Sequence, residues 1–150
     1  MGQSYSSILI HTVFSTKHRE PTIPDDIAPE LYKYMATVLK TNECPALIIG
    51  GTNNHVHLLH TLSRTIAMSS LIEELKSDSS KWIKQRSPLS KSFYWQSGYG
   101  AFSIGQSGVA ALEKYIRLQK QHHEKKTFED ELRELCVKYN VKLDERYAWN

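Results

Sequence analysis

Residues 44–62, CPALIIGGTNNHVHLLHTL, constrain the fold more than any other stretch of the sequence. Two apolar runs are separated by a short polar segment rich in Gly and Asn, which predicts two antiparallel strands joined by a tight turn. A hairpin of this kind must bury one face against other elements. Because side chains alternate along a strand, His55 and His57 point to the same side, about 7 Å apart. The fold must therefore place two imidazoles on one face of a sheet.

The segments around this hairpin show strand and helix patterns in turn. Helical periodicity appears on both sides of it, and the spacing of Thr127 and Asp130 is typical of a helix cap. The predicted elements are strand 6–15, helix 24–42, strands 44–51 and 54–62, helix 65–85, one or two strands within 92–104, a long helix 107–125 and a last helix 127–140. This order predicts an α+β fold, a ferredoxin-like antiparallel sheet with helices packed on it. The 150 residues are expected to form one domain, 1–150.

The charge and the cysteines limit which partners and which cellular compartment this chain can have. Lys and Arg number 19 against 16 Asp and Glu, and the net charge of +3 permits a nucleic-acid partner without demanding one. Cys44 and Cys136 match no zinc spacing and are expected to be small core residues in a reducing compartment. No run approaches the roughly 20 apolar residues of a membrane span, and the start does not resemble a signal peptide. We therefore expect a cytoplasmic protein without a membrane partner.

The pair of His55 and His57 has more than one interpretation. Two imidazoles at this spacing can converge on one metal ion or one phosphate, but H-x-H patterns also occur on half-exposed surface strands. The zinc deaminase signature, H-x-E with P-C-x-x-C, and the zincin signature, H-E-x-x-H, do not occur in the sequence. A histidine triad would need a third alternating histidine, whereas position 59 is Leu and His60 points to the opposite face.

A second group of polar side chains lies on the predicted helix 107–125. At 100° per residue, Tyr115, Gln119 and His122 fall on one strip beside the apolar stripe. His123 falls on the apolar stripe itself, so we expect it to pack or to cap the helix. A lone tyrosine at such a boundary is usually structural. The alternative is a nucleophile at Tyr115 with an amide ligand one turn further on.

Four segments in this order carry a resemblance to a known family: SILIHTVFSTKHREP, HVHLL, FYWQSGYGAFS and YIRLQKQHH. Over nearly its whole length, the chain resembles the short single-tyrosine transposases of the HUH class. These are the insertion-sequence-two-hundred-like proteins, which include the transposases associated with repetitive extragenic palindromes. The resemblance implies a divalent metal bound by His55 and His57 and completed by Gln119. It also implies Tyr115 as the nucleophile.

The same resemblance implies the activity and the partners. Family members act on single-stranded DNA, often at a hairpin, by transesterification that gives a 5′-phosphotyrosine and a free 3′-OH, followed by strand rejoining. They form homodimers in which the tyrosine helix of one chain lies over the histidines of the other. We expect Mg²⁺ or Mn²⁺ as the metal, with tighter binding of Mn²⁺ because imidazole favours it. The implied location is a prokaryotic cytoplasm, in association with the nucleoid.

Further residues are candidates for supporting the metal site or for binding DNA. Asn54 stands where the family often has Asp and can still ligate or hydrogen-bond, and His122 is a second supporting candidate. Basic and aromatic side chains that could contact phosphates or unpaired bases are Lys17, Arg19, Lys76, Lys81, Lys84, Arg86, Lys91, Trp95, Gln96 and Tyr99. Three other functions stay open: a domesticated transposase, an HUH nickase such as a replication initiator or relaxase, and a non-enzymatic module that binds single-stranded nucleic acid.

Overall fold

The computed structural model describes residues 2–150 and, within them, the side chains other than that of Leu89. The strands are β1 (Leu9–Ser15), β2 (Ala46–Gly51), β3 (His55–Thr61) and β4 (Gly100–Ile104). The helices are α1 (Ala28–Thr41), α2 (Met68–Arg86), α3 (Val109–Arg117), α4 (Gln119–His122) and α5 (Phe128–Lys138). Short 3-10 turns occur at Lys17–Arg19, Pro88–Ser90 and Gln106–Gly108. Among residues 2–150, no helix combines the length and the apolar character needed to cross a membrane.

The strands form an antiparallel sheet in the order β2-β3-β1-β4, which confirms the predicted ferredoxin-like α+β fold. The predicted hairpin joins β2 to β3 through Thr52–Asn54. On the other side of β3, His57 is the partner of Val13 and His55 is the partner of Ser15. Because β3 lies inside the sheet, His57 is flanked by β1 and β2, whereas His55 lies between β1 and the turn at Thr52.

Each face of the sheet is covered by helices. Phe14, Val56 and Leu58 pack in one core with apolar residues of α1 and α2. On the opposite face, Val13 and Phe102 pack against Phe128, Leu132 and Cys136 of α5. The two histidines point to this second face and are fully buried. The interpretation of His55 and His57 as half-exposed surface residues is therefore wrong.

The hairpin also fixes how closely α3 approaches the sheet. Gly50 is the partner of His57, and a Cβ atom at this position would lie 2.8 Å from the carbonyl oxygen of Ile116. Such a contact is too short for real carbon and oxygen atoms. A glycine at position 50 thus lets the backbone of α3 lie directly on β2. This contact brings Tyr115, the neighbour of Ile116, above the face of the sheet to which His55 and His57 point. We call it the histidine face.

Two predicted elements differ in detail, and a third begins as predicted. The expected helix 107–125 is divided at Leu118, whose φ of −99° and ψ of 20° separate α3 from α4. The segment 92–104 forms one strand, β4, together with an isolated bridge between Thr16 and Trp95. The last helix begins as predicted, because Oγ1 of Thr127 accepts a hydrogen bond from the Asp130 N–H at 3.1 Å.

Candidate functional site

Polar side chains from both the sheet and the helices meet on the histidine face. The strands contribute His11 from β1 and His55 and His57 from β3. The helical layer contributes Tyr115 from α3, Gln119 from α4, His123 just after α4, and Glu131 from α5. Most of these side chains are buried, Tyr115 and His123 being half-buried. Charged and polar groups this deep in a protein require specific partners.

Glu131 is the common partner of the helical and sheet residues. Its Oε1 accepts hydrogen bonds from Nε2 of His57 at 2.8 Å and Nε2 of His123 at 3.0 Å. Its Oε2 accepts from the Tyr115 hydroxyl and from Nε2 of Gln119. Burial alone would raise the pKa of the Glu131 carboxyl, but the hydrogen bonds from His123 and His57 outweigh burial and hold the pKa well below its usual range. Glu131 is therefore a buried carboxylate anion.

His55 is held by the turn that precedes it. Oδ1 of Asn54 and Oγ1 of Thr52 lie 2.7 Å and 2.9 Å from Nδ1 of His55. Burial lowers the pKa of His55 to about 3, so the ring is neutral and one of its two nitrogens carries a lone pair. Nε2 of His55 lies 3.0 Å from Oε1 of Gln119, at hydrogen-bond distance. Asn54 thus orients the ring, as the carboxylate of an Asp would.

His57 is held by a histidine of the neighbouring strand. Nε2 of His11 lies 2.8 Å from Nδ1 of His57, and the two rings are stacked with centroids 5.0 Å apart. Burial and the nearby His57 lower the pKa of His11 to about 3, so His11 is neutral. A neutral imidazole can both donate and accept, so this contact sets the tautomer of His57.

The Tyr115 hydroxyl points into the same cluster. The hydroxyl donates to Oε2 of Glu131, and its ring centroid is 5.8 Å from that of His57. Burial raises the pKa of the Tyr115 hydroxyl, and the hydrogen bond to Glu131 raises it further. His122 stacks on the outer face of the site, with its ring centroid 4.8 Å from that of Tyr115. The phenol is therefore protonated and fixed in orientation before any reaction.

The cluster contains the donor atoms that bind divalent metals. His55, His57, His123 and Glu131 each offer one ligand atom, and these atoms lie within 4.8 Å of one another. Imidazole nitrogen together with carboxylate and amide oxygen suits Mn²⁺ and heavier ions well, and Mg²⁺ less well. The cluster could therefore hold a metal ion.

The structure brings together four residues that the sequence singled out: His55, His57, Tyr115 and Gln119. It adds Glu131, His11 and His123, which the sequence analysis did not select as site residues. One signal for Glu131 was available, because this acid lies on the apolar face of its helix beside Phe128 and Leu132. His123 was expected to pack or cap because a continuous helix was projected past Leu118, where the real helix is divided.

The candidate DNA contacts divide into exposed and interior groups. Trp95 and Gln96 are buried, and their side chains bond to Ser79 and to the Ser15 N–H. The structure therefore does not place these two side chains where an unpaired base could stack. Nζ of Lys76 donates to the carbonyl oxygens of Gln96 and Gly98, and burial lowers its pKa to about 8.

The remaining candidates lie at or near the surface. Lys17, Lys81, Arg86 and Lys91 are exposed, and Lys84 is half-buried with its Nζ 4.3 Å from the centroid of the Tyr94 ring. Tyr99 is 38% exposed. Arg19 is half-buried and donates to the carbonyl oxygen of Trp149 at 2.9 Å.

Known proteins share this architecture. A protein from Deinococcus radiodurans R1 whose crystal structure is assigned as a transposase is 19% identical, with a TM-score of 0.62 over 79% of this chain and 96% of that chain. The REP-associated tyrosine transposase bound to a REP hairpin is 17% identical, with a TM-score of 0.59 over 82% of this chain and 73% of that chain. At these identities the likeness shows the fold alone. A search of curated proteins found no match.

The family comparison covers most of the chain. The sequence pattern of the family described as "Transposase IS200 like" matches residues 4–119, which include β1 to β4, the paired histidines, Tyr115 and Gln119. Glu131 lies beyond the matched segment. This chain belongs to the IS200-like transposase family.

Proposed function

We propose that this transposase cuts and rejoins single-stranded DNA, with Tyr115 as the nucleophile and a divalent metal bound by His55, His57 and Gln119. The observation that carries the proposal is the meeting of the Tyr115 hydroxyl and the histidine pair on one buried carboxylate, Glu131. A purely structural tyrosine has no need of such an arrangement. Perturbed and interlinked polar groups of this kind are typical of catalytic sites.

The Tyr115 oxygen forms a bond to the phosphorus of the scissile phosphodiester, and the bond from phosphorus to the 3′ oxygen breaks. The products are a 5′-phosphotyrosine and a free 3′-OH. Because the phenol is protonated, its proton must leave as the new bond forms, and Oε2 of Glu131 already accepts that proton's hydrogen bond, while the departing 3′ oxygen takes up a proton from water to give the 3′-OH. A 3′-OH can then attack the phosphotyrosine, rejoin a strand and restore the phenol.

The donor set supports the metal. Nε2 of His55 and Oε1 of Gln119 lie 3.0 Å apart, so both atoms could bind one cation at this place. Mg²⁺ or Mn²⁺, when bound, would neutralise charge on the phosphate and stabilise the leaving oxygen. Asn54 and His11 orient the two imidazoles, and His122 supports the ring of Tyr115.

DNA would approach over the exposed basic side chains. We propose that Lys17, Lys81, Lys84, Arg86 and Lys91 contact phosphates and that Tyr99 stacks on a base. Trp95, Gln96 and Lys76 are not included, because their polar atoms bond within the protein. The fold neighbour that was solved with a REP hairpin supports a hairpin as the substrate. A cytoplasmic, nucleoid-associated location would follow from this substrate.

The test uses a labelled single strand carrying a palindrome from the DNA flanking the gene. After incubation with Mn²⁺, a denaturing gel should show a protein–DNA adduct that survives boiling. The same sequence as a perfect duplex should give little adduct. Hairpin binding without any adduct would contradict the proposal and favour a non-enzymatic binding module. Imperfect palindromes beside the gene that occur with it in a single genomic copy would indicate a domesticated transposase. The same arrangement in many copies would indicate a mobile one.

The expected sharing of sites between two chains differs from the arrangement seen here. α3 packs on β2 and β3 of its own chain, so Tyr115 meets its own histidines. We therefore propose that the site acts within one chain, while a homodimer stays a prediction. Mixing Tyr115→Phe protein with His57→Ala protein should give no adduct, because neither chain holds both parts. If mixing restores the adduct, the sites are shared and this assignment fails.

A further inference from the structure

We propose that Glu131 is itself a ligand of the metal and that it links the metal to the nucleophile. This inference rests on the proposed function and adds a residue from outside the matched family segment, which ends at residue 119. Oε1 of Glu131 would bind the ion beside the imidazole nitrogens, while Oε2 holds the Tyr115 hydroxyl. Glu131 would thereby act as a ligand and as a positioning residue for Tyr115.

The spacing of the atoms supports ligation. In an octahedral ion with bonds of about 2.1 Å, adjacent ligand atoms lie about 3.0 Å apart and opposite ones about 4.2 Å apart. Oε1 of Glu131 is 2.8 Å from Nε2 of His57 and 3.7 Å from Nε2 of His55. Oε1 of Gln119 lies 3.0 Å from the same nitrogen of His55. These distances are close to those of ligands that surround one ion, which Nε2 of His57 would bind once its proton has moved to Nδ1, where Nε2 of His11 can accept the hydrogen bond.

The charges support the same conclusion. Two imidazoles and an amide bring no negative charge to a divalent ion, and Asn54 brings none where an Asp would. Glu131 is the acid that the described cluster of potential ligands contains, and its side chain is 2% exposed. A carboxylate this deeply buried is costly unless a cation or several donors compensate it. Hydrogen bonds from four side chains already compensate Glu131, and its negative charge would strengthen the binding of an ion that takes the place of the His57 proton.

The two oxygens of Glu131 have different partners. Oε1 faces the histidines, whereas Oε2 receives the hydrogen bonds of Tyr115 and Gln119. A metal bound at Oε1 would therefore fix the plane of the carboxylate and, through Oε2, the place of the phenol. A carboxylate with a purely structural role would satisfy these donors without affecting metal affinity, and this difference can be measured.

The experiment measures Mn²⁺ affinity by electron paramagnetic resonance on the full chain, without DNA. Glu131→Gln keeps the shape of the side chain and removes its charge, and we expect Mn²⁺ binding at least about tenfold weaker. Glu134→Gln is the matched control, because it makes the same change one turn later on α5, at an exposed acid paired with Lys126. Its Mn²⁺ affinity should equal that of the wild type. Circular dichroism and thermal unfolding check that both variants are folded.

A second measurement does not depend on a variant. In wild-type protein labelled with [¹³C]glutamate, adding Mn²⁺ should shift a glutamate carboxylate band in the infrared difference spectrum. Unchanged affinity in Glu131→Gln, or an infrared spectrum without such a shift, would overturn the role of Glu131 while leaving the histidine site intact. If the wild type itself does not bind Mn²⁺, the proposed metal site fails and this inference fails with it.

Discussion

Replacing Tyr115 with Phe is expected to abolish the covalent adduct with DNA and to leave the fold intact. Of the eight tyrosines in the chain, this is the one whose hydroxyl is bonded to the Glu131 carboxylate in the described structure. Removing a covalent nucleophile should lower the rate of cleavage by at least about 10⁴-fold. Glu131 would still accept hydrogen bonds from His57, His123 and Gln119, so the loss of stability should be only about 1–2 kcal/mol.

The measurement is the yield of boiling-resistant adduct on a denaturing gel, with DNA binding followed separately. Tyr139→Phe is the matched control, because Tyr139 lines the same cavity of about 560 Å³ as Tyr115 and stacks on Phe102. This control should form the adduct at the wild-type level. An undiminished adduct in Tyr115→Phe would mean that another residue attacks the DNA, and the assignment of the nucleophile would be wrong.

The second large effect is expected on metal binding. The double variant His55→Ala/His57→Ala removes two of the three imidazole nitrogens that face Oε1 of Glu131, leaving only that of His123, so Mn²⁺ binding should fall below detection in a calorimetric titration. His60→Ala is the control, because His60 is buried on the same strand but points to the opposite face and bonds to Thr12. It should bind Mn²⁺ like the wild type, provided that circular dichroism shows a native fold.

Both variants remove buried imidazole groups, so some loss of stability is expected in each of them. Losing a hydrogen-bonded partner of a buried polar group costs about 1–3 kcal/mol. The metal titration is therefore performed well below the unfolding midpoint of each variant. If the double variant still binds Mn²⁺ with unchanged affinity while it is folded, these histidines are not ligands.

Much of the fold could be predicted because its signals are local. The hairpin around Thr52–Asn54, the alternation that pairs His55 with His57, and the cap at Thr127 depend on residues close together in sequence. The order of strands and helices then leaves few topologies, and the ferredoxin-like sheet is one of them. Tyr115 and Gln119 could be paired because they lie one turn apart.

The remainder of the site depends on tertiary contacts. Glu131 reaches the site only because α5 packs on the sheet face that carries the two histidines, and His11 only because β1 pairs with β3. Trp95 and Gln96 lie in a segment of mixed aromatic and polar residues, whose pattern does not tell which side chains face the interior. Burial there is decided by contacts with Ser79 on α2 and with the end of β1.

The contact between Gly50 and the carbonyl of Ile116 has a consequence for how this enzyme can be varied. Gly50 does not adopt the left-handed backbone region, so space and not backbone conformation requires a glycine there. A larger residue would act as a wedge that lifts the tyrosine helix away from the sheet, and its volume would set how far the phenol is withdrawn. Substitutions of increasing volume at position 50, from Ala to Val, would therefore lower the rate of strand cleavage step by step. None of them would change a residue of the proposed catalytic site.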